Sequence, residues 1–442
     1  MSKFDELELQ KKAHKYIPGG AHTYSRGDDQ FPTNAPKALV SGKGCRSLGT
    51  NGVEYIDYGM GLRSVGIGYA EPSISNAAAE GGSLGNCLTR ASVLEIEAAE
   101  AFCEHIPHVE MVKFAKHGSV ATSAAIKLAR ASTGRDLILR CAQHPFFSFD
   151  DWFIGDTAMN RGVSQNTKDQ TLNFNFNDAE ALKAKLEEFG DRVAAVILEP
   201  CTHIQPTDSV FVKDGNFLHD VRHLCDEYGS LMILDEIITG FRWHLQGAAT
   251  KYNVVPDLTT FGKAMANGFS VAALGGKRKY MELGGLDHNS ERVFLTSTTH
   301  GAEMNGLAAF KATLDFYNNN EVIEHLWSFG GQLVEQANAL VNSHGLTDNI
   351  EFIGPNCSPS YMTKDAEGQM SFEFRTLLNQ EMIRNGILFS WLAPCFRHTD
   401  VELKQTVEAL DKACGVYKKA LGDGIEKHLD GPSIKPVFRK FN

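Results

Sequence analysis

Between Val93 and Leu314, short apolar runs alternate with helical runs, and this alternation restricts the chain to few architectures. Val193–Leu198 and Leu231–Leu234 are short, rich in branched side chains and bounded by polar residues, as buried parallel strands are. Ser119–Thr133 and Gly215–Tyr228 carry helical spacing. Strand, helix, strand in that order predicts a doubly wound α/β domain, with helices on both faces of a mostly parallel sheet.

On either side the pattern is less regular. A first helix is expected over Ser2–Lys15, stopping before Pro18-Gly19-Gly20, with strands near Lys37–Val40 and Tyr55–Tyr58. Towards the other end, Val322–His344 and Val401–Leu421 read as helices, and Ile350–Ile353 and Ile387–Phe389 as strands. Three segments follow from this. Residues 1–70 form a small β-rich N-terminal segment, residues 71–318 a large domain, and residues 319–442 a smaller C-terminal α/β domain. The closing run from Gly431 reads as a solvated extension, and Cys201 and His300 as ordinary packing residues.

Charge narrows the partners. The net charge of -11 and the absence of a dense Lys/Arg cluster argue against a nucleic-acid binder. The nine cysteines are scattered, odd in number and without a CxxC pair, which fits free thiols in a reducing compartment and gives no metal-ligand spacing. The first residues lack an apolar signal core, and no stretch approaches the roughly 20 apolar residues that span a bilayer. A cytoplasmic protein with no membrane partner is expected.

Chemistry concentrates at three places. In LMILDEIITGFRW an apolar run ends in Asp235 and Glu236, at the carboxyl end where open α/β sheets bind ligands. Lys263 follows 28 residues later, among Phe261, Gly262, Ala264 and Met265. Desolvation lowers a lysine pKa in the direction that imine formation needs, and a carboxylate is the natural partner of a pyridine nitrogen. Read separately, the acids are also a common capping pair, and the lysine a snorkelling surface residue. The third place is KFAKHGSVATSAAIKLAR, where a strand at Val112–Phe114 meets the turn His117-Gly118-Ser119 and an Ala-rich helix. A helix opening on Gly-Ser suits a phosphate, and Ser119 also reads as a plain N-cap.

FGKAMANGFSVAALGGKRKYM, LDEIITGFR, AAVILEPC and GSVATSAAIKLARASTGR together resemble the class III aminotransferases dependent on pyridoxal 5'-phosphate (PLP), especially the glutamate-1-semialdehyde aminomutase branch. The resemblance covers nearly the whole chain. It implies PLP fold type I, with a large doubly wound domain and a smaller α/β domain built from the C-terminal part and the N-terminal segment. By this likeness Lys263 is the Schiff-base lysine and Asp235 the partner of the ring nitrogen. Gly118 and Ser119 form the phosphate cup, although Val120 stands where the family carries an acid.

Phe146 falls at the ring-stacking position, with Phe147 where a histidine is usual; both also read as core aromatics. Glu199 matches a strand-end acid that orients substrate or cofactor, and Thr299 a threonine that reaches the phosphate of a partner subunit in a homodimer; a plain surface threonine is the competing reading. Arg26 matches a residue that binds a substrate carboxylate, and Arg63 is a second anionic contact or an ordinary salt-bridge arginine.

The implied activity is a transaminase taking an amino group from an amino acid, glutamate first, to a carbonyl acceptor bearing a carboxylate. Thr23-Tyr24-Ser25, Leu62 and Val120 depart from the aminomutase pattern. They imply a remodelled pocket with a different acceptor, and the chain as a whole resembles sugar-directed relatives, such as the transaminase making 8-amino-3,8-dideoxy-octulosonate for lipopolysaccharide from 8-dehydro-3-deoxy-octulosonate. The aminomutase itself is the alternative, and a non-catalytic binding protein that kept the fold is the reading from another class.

Overall fold

Val193–Leu198 and Leu231–Glu236 are buried at every position, as strands covered on both faces must be. They belong to a computed structural model that describes residues 4–442. The chain divides into two compact units, one of Pro72–Ile323 and one made of the residues up to Glu71 with Glu324–Asn442. In chain order the strands are β1 (Leu39–Lys43), β2 (Arg46–Gly49), β3 (Glu54–Asp57), β4 (Met111–Ala115), β5 (Leu137–Cys141), β6 (Thr171–Phe174), β7 (Val193–Leu198), β8 (Leu231–Glu236), β9 (Leu258–Phe261), β10 (Ala272–Gly276), β11 (Ile350–Ile353), β12 (Ser360–Thr363) and β13 (Ile387–Leu388).

The unit Pro72–Ile323 holds a seven-stranded sheet in the order β4-β10-β9-β8-β7-β5-β6. β5 to β9 pair in parallel, and β10 runs antiparallel to both of its neighbours. Registers of Leu198 with Leu234 and of Asp235 with Thr260 bring the carboxyl ends of β7, β8 and β9 level. Helices are punctuated as their sequences dictate. Gly118–Thr133 ends on Gly134 at φ 69°, and Phe217–Tyr228 ends on Gly229 at φ 67°, left-handed positions that glycine takes without strain. The side chain of Asn216 caps the second of these helices.

In the other unit, β13 pairs in parallel with β3, so residues from both ends of the chain share the sheet β1-β2-β3-β13. Ile56 and Tyr58 then enter one core with Leu377, Phe389, Leu410 and Tyr417. The first helix runs over Glu6–Tyr16; the expected start at Ser2 lies outside the described residues. The first strand begins at Leu39, two residues beyond its expected start, and β2 was not foreseen.

The closing run is not a solvated extension. Ile434 is 8% exposed, and its N–H donates to Thr376 Oγ1 at 2.9 Å. The Lys435 N–H donates to the Asp29 carbonyl at 2.9 Å, Gln30 Nε2 donates back to the Lys435 carbonyl, and Arg439 pairs with Asp29 at 2.6 Å. Polar composition suggested solvation, but Ile434 anchors this run to Thr376, and Lys435 and Arg439 tie it to Asp29 and Gln30. Among the described residues no helix is long and apolar enough to cross a membrane.

Candidate active site

Side chains alternate along a strand, and that alternation separates the two acids ending β8. Glu236 accepts the N–H groups of Ala248 at 2.5 Å and Ala249 at 2.8 Å, so it caps the short helix Ala248–Lys251. Asp235 accepts from the Ile237 N–H and from Thr260 Oγ1, both at 3.0 Å. Burial pushes its carboxyl up to about 6; the Ile237 N–H, the nearby charge of Lys263 and the Thr260 hydroxyl pull the other way. Lys263 and Asp235 therefore lie within electrostatic reach of each other.

Lys263 follows β9 and Gly262 and opens a 3-10 turn over Lys263–Ala266. Its φ of 45° is left-handed, costly for a residue with a side chain and common where function fixes the backbone. Ile237 explains the two glycines nearby. A Cβ on Gly118 would meet Ile237 Cδ1 at 2.7 Å, and one on Gly262 would meet the same atom at 3.1 Å. One isoleucine thus fills the space left by both glycines, drawing together the helix opening at Gly118, the end of β8 and the lysine turn.

At that helix opening His117 is extended, and the first N–H groups have no acceptor within the helix. Ser119 is buried, and its Oγ accepts the Phe149 N–H at 3.2 Å, leaving its proton to donate elsewhere. Further bonds fix the 146–152 segment against the helix. Thr122 Oγ1 donates to the Phe147 carbonyl at 2.7 Å, Ser123 and Ser148 join their hydroxyls at 3.0 Å, and Trp152 Nε1 donates to Ser123 Oγ at 2.9 Å. Phe147 is 2% exposed, whereas Phe146 is 47% exposed and touches Phe153 edge-on at 5.6 Å.

Glu199 is buried at the end of β7, and its N–H donates to His144 Nδ1 at 2.9 Å. Burial, with the charges of His203 and Arg140, pushes His144 down to about 3, so it stays neutral with its proton on Nε2. His144, Thr260 and Ile237 escaped the sequence reading. HPFFSFDDW does contain the histidine, but its contact across strand ends needs the sheet register. Thr299 is exposed, and its carbonyl lies 3.2 Å from Cys87 Sγ.

Arg26 and Arg63 belong to the other unit. Arg26 is exposed in a 3-10 turn and lines a cavity of about 420 Å³ within that unit. Arg63 is not among the lining residues, and its Nε donates to Ser358 Oγ at 3.1 Å. One wall is a left-handed turn, with φ of 39°, 59°, 60° and 69° from Met60 to Arg63. Asp57 Oδ1 holds it by accepting the N–H groups of Gly59 and Met60, and Tyr69 Oη accepts the Gly61 N–H and donates to Asp57 Oδ2.

The family model for aminotransferase class III matches residues 24–386. The 3-aminobutyryl-CoA aminotransferase of Cloacimonas acidaminovorans is 32% identical, covering 94% of this chain and 98% of its own length. The glutamate-1-semialdehyde 2,1-aminomutase of Natronomonas pharaonis is also 32% identical, covering 93% and 98%. Among solved structures, the FumI protein of Sphingopyxis sp. MTA144, in a PLP form, superposes with a TM-score of 0.83 at 26% identity, over 95% of this chain and 97% of that one.

Proposed function

This chain belongs to the class III aminotransferases, a family of PLP-dependent enzymes, and from that premise we propose that it moves an amino group from an amino acid, glutamate first, to a carbonyl acceptor bearing a carboxylate. The residues present fit the cofactor. A buried carboxyl whose ionisation is opposed chiefly by desolvation is stabilised by a cationic ring nitrogen, which is the role of Asp235 here. A helix opening at Gly118-Ser119, too close to Ile237 for a side chain on Gly118, suits a phosphate. When bound, PLP takes up the amino group and accepts the electron pair left as a substrate carbon loses its proton.

The residues divide the remaining work. Lys263 would hold the cofactor through its Nζ, and once the substrate's amine displaces it, the freed amine would take up and return the proton at the substrate carbon. Asp235, with Oδ1 fixed by Thr260 and Ile237, would keep a proton on the ring nitrogen of the bound cofactor. Ser119 donates to the phosphate, the exposed face of Phe146 stacks on the ring, and Glu199 orients substrate or cofactor. Arg26 binds the substrate carboxylate. Thr299, exposed in the single chain, reaches the phosphate of a second copy in a homodimer.

The observation that carries this reading is the convergence on Ile237 of the buried Asp235 at the end of β8, the helix opening at Gly118 and the turn that begins at Lys263. The octulosonate acceptor suggested by the sequence resemblance is one member of the carboxylate class and rests on that resemblance alone. The aminomutase reading draws support from the Natronomonas relative. Amination of glutamate 1-semialdehyde without an external donor would favour it. For the transaminase, glutamate should bleach the visible cofactor band of the purified enzyme and release 2-oxoglutarate, and Lys263→Ala should lower that rate by about 10²-fold or more. A wild-type-like rate in that variant would end the proposal.

A further inference from the structure

The cavity beside Arg26 carries information about substrate class that its arginine alone does not. At about 420 Å³ it lies within the range of roughly 300–1,000 Å³ typical of small-molecule sites. Four charged side chains line it, and three are already committed. Asp28 accepts from Gln10 and His14 at 2.8 and 2.7 Å, Asp57 is held by Tyr69 and two backbone N–H groups, and Lys37 donates to the Thr33 carbonyl at 2.9 Å. The Arg26 guanidinium makes no hydrogen bond or ion pair among the described residues.

Most of the remaining lining is apolar. Phe31, Leu39, Leu62, Leu388 and Trp391 face it, with Phe31 and Trp391 packed edge-on at 5.6 Å. Among the described residues Ser390 Oγ and Trp391 Nε1 make no hydrogen bond, and both carboxylates of the lining are engaged. A ligand with several hydroxyls would lose its water here and find only Ser390 and Trp391 as new partners, whereas an apolar body brings no polar groups of its own to leave unpaired.

We infer that the carboxylate substrate of this chain has an apolar, unhydroxylated body, its acid group bound by Arg26 and its body against Phe31, Leu39, Leu388 and Trp391. This rests on the reading of Arg26 as the substrate-binding arginine, and it places hydroxylated sugar acids outside the preferred class.

Inert acids test it, since they carry neither amine nor carbonyl. Calorimetric titration of the PLP-loaded enzyme should show 4-phenylbutanoate binding at least tenfold more tightly than gluconate. Arg26→Gln, a change at an exposed side chain, should weaken 4-phenylbutanoate at least tenfold. Trp391→Ser should narrow its advantage over gluconate, with circular dichroism checking that the variant folds. Gluconate binding as tightly as 4-phenylbutanoate, or an Arg26→Gln variant with unchanged affinity, would overturn the inference. Binding of 4-phenylbutanoate through Arg26 by an enzyme that transfers no amino group would support the inference while removing the transaminase reading.

Discussion

Asp235 and Glu236 are neighbours in sequence with different hydrogen-bond partners, and burial raises both carboxyls. Burial holds Asp235 at about 6, above its ordinary value of 3.8, so the folded chain binds that proton more tightly than the unfolded chain. The resulting stabilisation is complete below about pH 4 and is lost as the pH rises through about 6, a contribution on the order of 3 kcal/mol. Cofactor-free wild type should therefore lose melting temperature across this window more steeply than Asp235→Asn. Glu236 and Asp57 are also raised by burial, and the Asp235 charge adds to the rise at Glu236, so the difference reports Asp235 together with its effect on that neighbour. Identical slopes would remove the assigned burial.

Glu236→Gln should behave differently. It weakens a helix cap, costing about 0.5–2 kcal/mol in denaturant unfolding, and should leave the visible cofactor band in place. Loss of that band would assign Glu236 to the cofactor. Lys263 and Asp235 could be singled out in the sequence because a lysine in an apolar run and an acid at a strand end conflict with local context. Thr260 and Ile237 could not, since an ordinary threonine and isoleucine acquire meaning only when β8 and β9 are in register.

At the scale of elements, legibility followed composition. β7 and the first four residues of β8 are apolar and were readable, whereas β10, Ala-Ala-Leu-Gly-Gly, lacks the β-branched side chains that mark a strand. The closing run was misread because its anchors are single residues in a Pro-rich, basic stretch. Its bonds to Asp29 and Gln30 brace the segment that carries Arg26, Asp28 and Phe31 to the cavity. Deleting residues 432–442 should raise KM for the carboxylate substrate severalfold with a smaller change in kcat. An unaltered KM would show that the segment holds its shape unaided. The left-handed turn at Met60–Arg63 depends likewise on Tyr69, and Tyr69→Phe should cost about 1–3 kcal/mol in unfolding free energy, because it leaves Asp57 and the Gly61 N–H short of partners.

For the whole molecule, the unit Pro72–Ile323 exposes Leu84, Leu88, Val93, Ile96, Leu286 and Phe294, large apolar side chains that a solitary chain leaves in water. The homodimer proposed for Thr299 would cover such residues, and under that proposal light scattering should return the mass of two chains. A monomer at micromolar concentration would contradict the role proposed for Thr299. The doubly wound core was legible because periodicity alone distinguishes buried strands from amphipathic helices. The sharing of one sheet by β3 and β13 was not, because pairing between distant segments leaves no local trace.

The central claim is a covalent bond between PLP and one lysine. Borohydride reduction of the PLP-loaded protein, followed by digestion and mass mapping, should place a phosphopyridoxyl group on the peptide containing Lys263. A label on another lysine, or no label on a protein saturated with the cofactor, would contradict the account.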